Sequence, residues 1–220
     1  MKKQIFVILG LFIVSAVLIF VAASYGEKSQ FEYLEHLKDT LFTLDEKEYS
    51  LGEISYYIVR EEYRIEEQAK IYDAHDTNKY WAIHTNGEFV RLNGKNSALD
   101  AAVHDMLLYS EAEKKGIKLD KEEEQYAKNS ASDLCYDLSE EQKERAGLTD
   151  EIIYDLTKRA ALAEKYQGIL AKKNKRNFGA YDYNGTAYEK MLEKHELFIE
   201  EKLWENIPFG NVAFNHRFEE

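Results

Sequence analysis

The sequence predicts a mainly α-helical protein, with an N-terminal transmembrane helix followed by a multi-helix domain that contains a small β-hairpin. Three observations predict this fold class. One long apolar run stands near the N-terminus, apolar residues then recur at spacings of three and four, and proline occurs once in 220 residues. Charged residues, 32% of the chain, alternate with these apolar positions as they do on exposed helix faces.

The N-terminal run, residues 5–23, contains only Ile, Phe, Val, Leu, Gly, Ser and Ala. As a helix it would measure about 28 Å, which is long enough to cross the hydrocarbon core of a membrane. Lys2 and Lys3 are the only charges before Glu27, so the N-terminus is predicted to be cytoplasmic and the bulk of the chain extracytoplasmic. The small residues around Ala23 leave a cleaved signal peptide as the alternative, although the run is longer than a usual signal sequence.

Four segments are predicted along the chain. They are an anchor or uncleaved signal at 1–23, a membrane-proximal helix at 24–42, a helical domain at 43–173, and a connector with a returning C-terminal helix at 174–220. The membrane-proximal helix is predicted from four apolar residues at helical spacing: Phe31, Leu34, Leu37 and Leu41.

The first helix of the domain is predicted to follow an extended connection at 43–49, because Ser50 and Glu53 form a capping-box pair. Residues 73–95 are the least helical stretch, and Asn86-Gly87 within it is a strong signal for a two-residue hairpin turn. A lone hairpin is only marginally stable. The flanking aromatic residues Trp81 and Phe89 are therefore expected to pack on the helices, with client binding as their alternative role.

The central stretch, residues 96–124, predicts a helix, a tight corner and a second helix. Ser97 is the candidate N-cap of the first helix, and Gly116 stands where that helix would end in a left-handed conformation. Asp120 and Glu123 then form a second capping box. The apolar stripe of the first helix comprises Leu99, Ala102, Val103, Met106, Leu107 and Ala112.

The second helix of this corner continues, and two further helices are predicted after it. A polar helix covers 121–136, and Ser139 with Gln142 caps a short helix that ends at Gly147. A long helix then runs over 149–171 with a continuous apolar stripe.

The C-terminal part predicts one returning helix that begins at Thr186 and Glu189 and stops before Pro208. Its broad apolar face, with Phe198 and Trp204, is expected to dock on the earlier helices. The basic cluster at 172–176 is interpreted as the cationic end of a helix, with contact to lipid headgroups as the alternative.

Two runs in this helical part resemble a known family. Residues 112–123 read Ala-Glu-Lys-Lys-Gly-Ile-Lys-Leu-Asp-Lys-Glu-Glu, and residues 147–166 begin Gly-Leu-Thr-Asp-Glu-Ile-Ile-Tyr and end Ala-Glu-Lys-Tyr. Both are similar to helix junctions in the helical chaperone domain of SurA and PrsA-type extracytoplasmic foldases, and the resemblance covers about residues 45–173. It implies a SurA N-terminal-like, trigger-factor-like chaperone domain.

The chain departs from that family in two respects. Many members carry a parvulin-type prolyl isomerase domain at the place where this chain has only the basic, turn-rich connector 172–185. The catalytic domain is therefore predicted to be absent, and with it isomerase activity. Lipid-anchored members carry a cysteine at the end of the apolar segment, whereas the lone cysteine here is Cys135.

The sequence carries no recognisable catalytic or metal-binding pattern, so no catalytic residue, no metal site and no cofactor are predicted. Asp100 and His104 are four residues apart on one predicted helix, but a simple hydrogen bond is the preferred interpretation. The acidic loop 73–78 lacks the glycine and the acidic residue that an EF-hand requires at its sixth and twelfth positions. Cys135 has no neighbouring histidine and is expected to be inert. The formal net charge of −12 disfavours binding to nucleic acid.

The chain is rich in aromatic residues, with sixteen tyrosines and eleven phenylalanines. Because such side chains offer contact area to many apolar ligands, the function is predicted from them. The first hypothesis is a membrane-anchored extracytoplasmic chaperone-like protein that binds unfolded or secreted polypeptides and contacts the lipid bilayer through residues 5–23. The second is a scaffold or adaptor that binds one specific partner at the outer face of the membrane; an enzyme is disfavoured. The predicted client-binding residues, with core packing as the alternative for each, are Tyr57, Ile58, Trp81, Phe89, Met106, Tyr109, Tyr166, Phe198 and Trp204.

Overall fold

A computed structural model describes residues 31–85 and 87–216. This part of the chain is mainly helical with a small amount of sheet, which confirms the predicted fold class at that level. None of the described helices combines the length and the apolar character needed to cross a bilayer. The predicted anchor at residues 5–23 lies outside the described residues.

Eight α-helices and five short strands follow one another in the described residues, with 3-10 turns at Tyr33–His36 and Phe178–Tyr181. The helices are α1 Leu51–Tyr72, α2 Asn78–Trp81, α3 Val90–Lys114, α4 Lys121–Asp137, α5 Glu140–Ala146, α6 Asp150–Lys173, α7 Thr186–Leu192 and α8 Glu201–Asn206. The strands are β1 Thr40–Leu44, β2 Lys47–Ser50, β3 His84–Thr85, β4 Glu88–Phe89 and β5 Leu197–Ile199.

The predicted membrane-proximal helix at 24–42 is wrong where the structure describes it. The chain forms a single 3-10 turn and then enters β1, which pairs antiparallel with β2 on one side and β5 on the other. Leu41 and Phe42 are fully buried in this sheet, whereas Leu34, which should lie on the predicted stripe, is 53% exposed. Pairing with two strands buries these apolar residues more completely than one face of an isolated helix would.

The predicted hairpin at Asn86-Gly87 is confirmed, since β3 and β4 pair antiparallel across it and Gly87 has a φ of +92°. Trp81 precedes the hairpin and belongs to the short helix α2. It is 1% exposed, and its Nε1 donates to Glu66 Oε2 at 3.0 Å. Packing is therefore the role of Trp81. Phe89 is 53% exposed, and its ring lies edge-on to the His84 ring, with the two ring centroids 5.1 Å apart.

In the central part of the chain, helices with a local capping signal begin where the sequence predicts, with one exception. The capping boxes at Ser50, Asp120 and Ser139 are all present, and Gly116 and Gly147 end their helices with positive φ. The exception is Ser97, which lies inside α3. Because strand β4 leads directly into a helix at Val90, α3 begins seven residues before Ser97.

The core lies where α6 packs against α3 and α4, and where α1 packs against α3. The apolar stripe predicted for α3 is buried throughout, with Met106 and Ala112 fully inaccessible. One cluster joins the C-terminal half of α3 to α6 through Leu108, Ala112, Leu162, Ala163 and Tyr166.

The single returning C-terminal helix is also wrong. The segment divides into α7, β5 and α8, because residues 197–199 pair with β1 and interrupt the helical pattern. Asp45, in the turn between β1 and β2, fixes this interruption: its carboxylate lies 2.9 Å from His195 Nδ1 and accepts from the Glu196 amide at 3.1 Å.

Residues 210–214 are held against α1 by a buried carboxylate. Glu62 is fully buried and accepts hydrogen bonds from the backbone amides of Gly210, Val212 and Ala213, at 2.5 to 3.2 Å. Arg145 supports the same segment by donating to the carbonyls of Asn211 and Phe214. We call residues 210–214 the C-terminal clasp.

The first prediction concerns the stability that Glu62 contributes. Glu62→Ala leaves the buried amide donors of the clasp without an acceptor, and each such donor costs about 1 to 3 kcal/mol. We expect the free energy of unfolding to fall by roughly 3 to 5 kcal/mol in urea denaturation. Glu67→Ala on the same helix removes only an exposed ion pair with Lys70 and should change it by less than about 1 kcal/mol. Equal effects of the two substitutions would contradict the claim that Glu62 stabilises the fold through the clasp amides.

The second prediction concerns pH. Burial raises the pKa of Glu62 from 4.5 to about 7, although the clasp amides favour the charged form. Between these values the folded protein holds a proton that the unfolded chain has lost, so this group lowers stability as pH rises from about 4.5 to about 7. Urea denaturation across this window should show wild type losing roughly 3 kcal/mol relative to the non-titrating Glu62→Gln. If the stability difference between wild type and Glu62→Gln does not change with pH, the raised pKa of Glu62 is wrong.

Candidate functional site

The residues predicted to bind clients do not form one open surface. Phe89 and Phe198 are 53% and 61% exposed, and Tyr109 is half-buried. The other six are core residues with exposures of 6% or less, namely Tyr57, Ile58, Trp81, Met106, Tyr166 and Trp204. They contact neighbouring helices, so they could meet a client only if the domain opened.

Among these nine residues, only Tyr57 lines a cleft between the helices of the described chain. This cleft lies between α1, α3, α4 and α6 and encloses about 660 Å³. Part of its wall consists of small residues that keep the helices from filling the space with side chains. They are Ala98, Ala101, Ala127, Ala160 and Ala161. We call this space the tyrosine cleft.

Five tyrosines give the cleft its aromatic character: Tyr56, Tyr57, Tyr63, Tyr126 and Tyr183. The Tyr56 hydroxyl is held in place, since it accepts from Thr157 Oγ1 at 3.0 Å and from Arg60 Nη1 at 3.3 Å. Tyr126 on α4 is 71% exposed and is therefore directly accessible to a ligand. Aromatic side chains of this kind offer large contact area together with a polar group.

Tyr57 is different, because its hydroxyl is buried and makes no hydrogen bond of normal geometry to the described residues. Burial first, and then the nearby Asp105 carboxylate, raise the pKa of Tyr57 well above its usual value. The hydroxyl thus stays protonated and can donate a hydrogen bond. A buried polar group without a partner is unfavourable unless something pairs with it.

Charges of both signs line the same cleft. Arg60 lies over the Tyr56 ring, with the guanidinium carbon 5.2 Å from the ring centroid. Arg64 makes a bidentate pair with Glu61, at 2.7 and 2.5 Å. The remaining acidic residues of the cleft are Asp105, Glu164 and Asp182. The cleft therefore offers fixed cationic and anionic groups beside its aromatic rings.

His104 is the most constrained of these groups. Its Nδ1 lies 2.8 Å from the Asp105 carboxylate and its Nε2 lies 2.9 Å from the Tyr181 carbonyl oxygen. Because both partners are acceptors, a ring that donates from both nitrogens, which is an imidazolium, satisfies both contacts. Burial opposes this charge, but the hydrogen bond to Asp105 and the attraction of its carboxylate outweigh burial and raise the pKa of His104.

The hydrogen bond expected between His104 and Asp100 is not formed, since the carboxylate that pairs with His104 is its neighbour Asp105. Among the described residues, no three metal-ligating side chains gather in one place. In the acidic loop, Lys79 lies between two carboxylates, 2.8 Å from Asp73 and 3.6 Å from Asp76. A lysine therefore balances the loop charge.

Cys135 lies on α4, half-buried. Burial first, and then the Asp150 carboxylate, raise the pKa of the Cys135 thiol to about 11. The thiol therefore remains protonated at neutral pH, whereas nucleophilic cysteines need the thiolate.

The sequence interpretation missed the cationic side of the cleft. Tyr56, Arg60 and Arg64 recur every four residues, so they share one face of α1. That spacing could have indicated a polar, ligand-facing side of a helix whose other face is apolar. The contributions of Tyr126 and Tyr183 carry no such signal, because they depend on how distant segments pack.

No family model, curated protein or solved structure matches this chain. The likeness to SurA and PrsA-type foldases therefore rests on the sequence motifs and stays a prediction.

The third prediction tests the charged state of His104. A histidine whose pKa is raised on folding stabilises the fold most at low pH, and that contribution is lost as pH rises above the unfolded value of 6.5 and through the folded one. We expect the stability difference between wild type and His104→Asn to be largest below about pH 6 and to shrink as pH increases. Urea denaturation at several pH values measures it.

His75→Asn is the matched control, because His75 is exposed in the loop before α2. Its effect should be small at every pH. If the His104→Asn difference does not change with pH, the imidazolium assignment is wrong.

Proposed function

We propose that this protein binds extended segments of other polypeptides in the tyrosine cleft, as a chaperone-like protein without prolyl isomerase activity. The observation that carries the proposal is the cleft itself, about 660 Å³ of space lined by five tyrosines and by charges of both signs. Its volume falls within the usual range for ligand sites and suits a few residues of an extended chain.

The lining favours a polypeptide over a small metabolite. Sites for small molecules are mostly apolar with a few convergent polar groups, whereas here aromatic rings alternate with Arg60, Arg64, Glu61 and Asp105. Tyrosine rings accept many apolar side chains, and their hydroxyls can bond to a peptide backbone.

The proposed location follows from the sequence. Residues 5–23 would anchor the protein in the membrane, with the N-terminus cytoplasmic and the domain on the extracytoplasmic side. There the domain would meet secreted chains that have not yet folded. The formal net charge of −12 favours clients that are neutral or basic.

A second candidate function, an adaptor for one specific partner, is favoured by the fixed charges of the cleft. His104 is held between two acceptors, so it cannot move freely to suit different ligands. Charges placed in advance select partners with a complementary pattern. This candidate differs from the first in the number of polypeptides that should bind.

The fourth prediction separates these functions and tests the site. The full chain in lipid nanodiscs should suppress the aggregation of several unrelated denatured proteins, and Tyr126→Ala should weaken their binding about fivefold or more because an exposed aromatic contact is lost. Tyr136→Ala is the control: Tyr136 is a still more exposed tyrosine on the same helix, but it does not line the cleft.

Each outcome has a distinct meaning. Suppression that depends on Tyr126 and not on Tyr136 supports the chaperone-like function, and binding of one partner alone favours the adaptor. Equal effects of the two substitutions would show that clients bind elsewhere, and no binding at all would end the proposal.

A further inference from the structure

The C-terminal strand β5 lies at the edge of the three-stranded sheet. The strand order is β2-β1-β5, so β5 pairs with β1 on one side and with no strand of the described residues on the other. Among the described elements, β1 packs most closely against it. An edge strand of this kind presents backbone donors and acceptors that another chain can use.

The register identifies which backbone groups face the open edge. The Asp45 amide donates to the Glu196 carbonyl at 2.7 Å, and the Glu200 amide donates to the Leu41 carbonyl at 2.8 Å. Hydrogen-bonded pairs in an antiparallel ladder occur at every second residue, so Glu196, Phe198 and Glu200 point their backbone groups toward β1. The amides and carbonyls of Leu197 and Ile199 therefore point away from β1.

The two edges of the sheet differ in their protection. Strand β2 carries Lys47 and Glu48, and charged residues on an edge discourage pairing with other chains. Strand β5 is Leu-Phe-Ile and carries no charge within its three residues. Phe198 is 61% exposed on the outer face, where it pairs with Thr43.

We propose that β5 accepts an extended segment of another polypeptide as a fourth, antiparallel strand of this sheet. Strand addition obtains affinity from main-chain hydrogen bonds, here to Leu197 and Ile199, and specificity from alternate side chains. The site is separate from the tyrosine cleft, and the inference does not depend on the function proposed for that cleft.

A second copy of this chain fits the edge poorly. If two β5 strands paired antiparallel about Phe198, Glu196 of each copy would stand directly opposite Glu200 of the other. Both glutamates are exposed, and like charges directly opposite one another destabilise a strand pair. The flanking carboxylates therefore select against self-association and in favour of a basic partner.

The same register defines the partner's sequence pattern. In the added strand, one residue lies opposite Phe198 and one lies opposite each of Glu196 and Glu200. These three residues occupy every second position of the added strand. The favoured segment has a Lys or Arg at its first and fifth positions and a β-branched or aromatic residue at its third. Its second and fourth residues make the backbone hydrogen bonds to β5.

Synthetic peptides test this pattern on the full chain in lipid nanodiscs. The probe is a fluorescent five-residue segment Lys-Thr-Val-Thr-Lys with capped ends, and its binding is followed by anisotropy. Methylating the amide nitrogens of the second and fourth residues should weaken binding about tenfold, because both backbone bonds are lost. Methylating the third amide, which faces away from β5, should leave binding within about twofold.

Charge reversal on the protein locates the site. The double variant Glu196→Lys with Glu200→Lys should lose the lysine-flanked peptide and gain the peptide whose lysines are replaced by glutamate. Glu193→Lys with Glu201→Lys is the matched control, since it makes the same charge change within the same exposed segment at positions that do not face the added strand. This control should keep the original preference.

These experiments test strand addition at β5 and do not test binding in the tyrosine cleft. A switch of preference in the first variant only, together with the N-methyl pattern, supports strand addition. Equal switching in both variants, or insensitivity to N-methylation, overturns it in favour of general charge attraction. Dimer formation by the unliganded chain in sedimentation velocity would also overturn it. Client binding that depends on Tyr126 but not on the β5 glutamates leaves the proposed function standing and removes this inference.

Discussion

The bond between the Glu62 carboxylate and the C-terminal clasp is the constraint on which the rest of the fold depends. A carboxylate with no exposed surface is tolerated only because three backbone amides point at it, and those amides are satisfied only because it is there. The clasp in turn brings Phe209 against Trp81, with ring centroids 6.0 Å apart. One side chain in the middle of α1 thus fixes the position of the C-terminal clasp.

This constraint gives α1 two faces with different roles. At 3.6 residues per turn, Glu62 and Glu66 lie on the side of the helix opposite to Arg60 and Arg64. The glutamate face binds the protein's own C-terminal segment, through the clasp amides and through His216, whose Nε2 lies 3.1 Å from Glu66. The arginine face is left to line the tyrosine cleft. A long helix that would otherwise be a simple core element therefore also forms a wall of the candidate site.

Polar recognition by fixed groups recurs in both surfaces that we propose to bind other chains. In the cleft, His104 and Arg64 are held by acidic partners before any ligand arrives. At the β5 edge, the Asp45 carboxylate holds His195 and the Glu196 amide, so the strand is formed without an added partner. Binding to groups that are already ordered loses less conformational entropy, which makes short and weakly structured segments plausible ligands for either surface.

The sequence by itself determined the helices whose signals are local. Capping boxes at Ser50, Asp120 and Ser139 and left-handed glycines at 116 and 147 act within a few residues, so they set helix boundaries correctly. Only the tertiary structure decided the rest. The segment 40–44 and residues 197–199 became strands because each found the other across 150 residues of chain, and the cleft arose from α1, α3, α4 and α6 together. The spacing of apolar residues along the sequence cannot predict such pairings. The free energy that favours them comes from residues far away in the chain rather than from neighbouring ones.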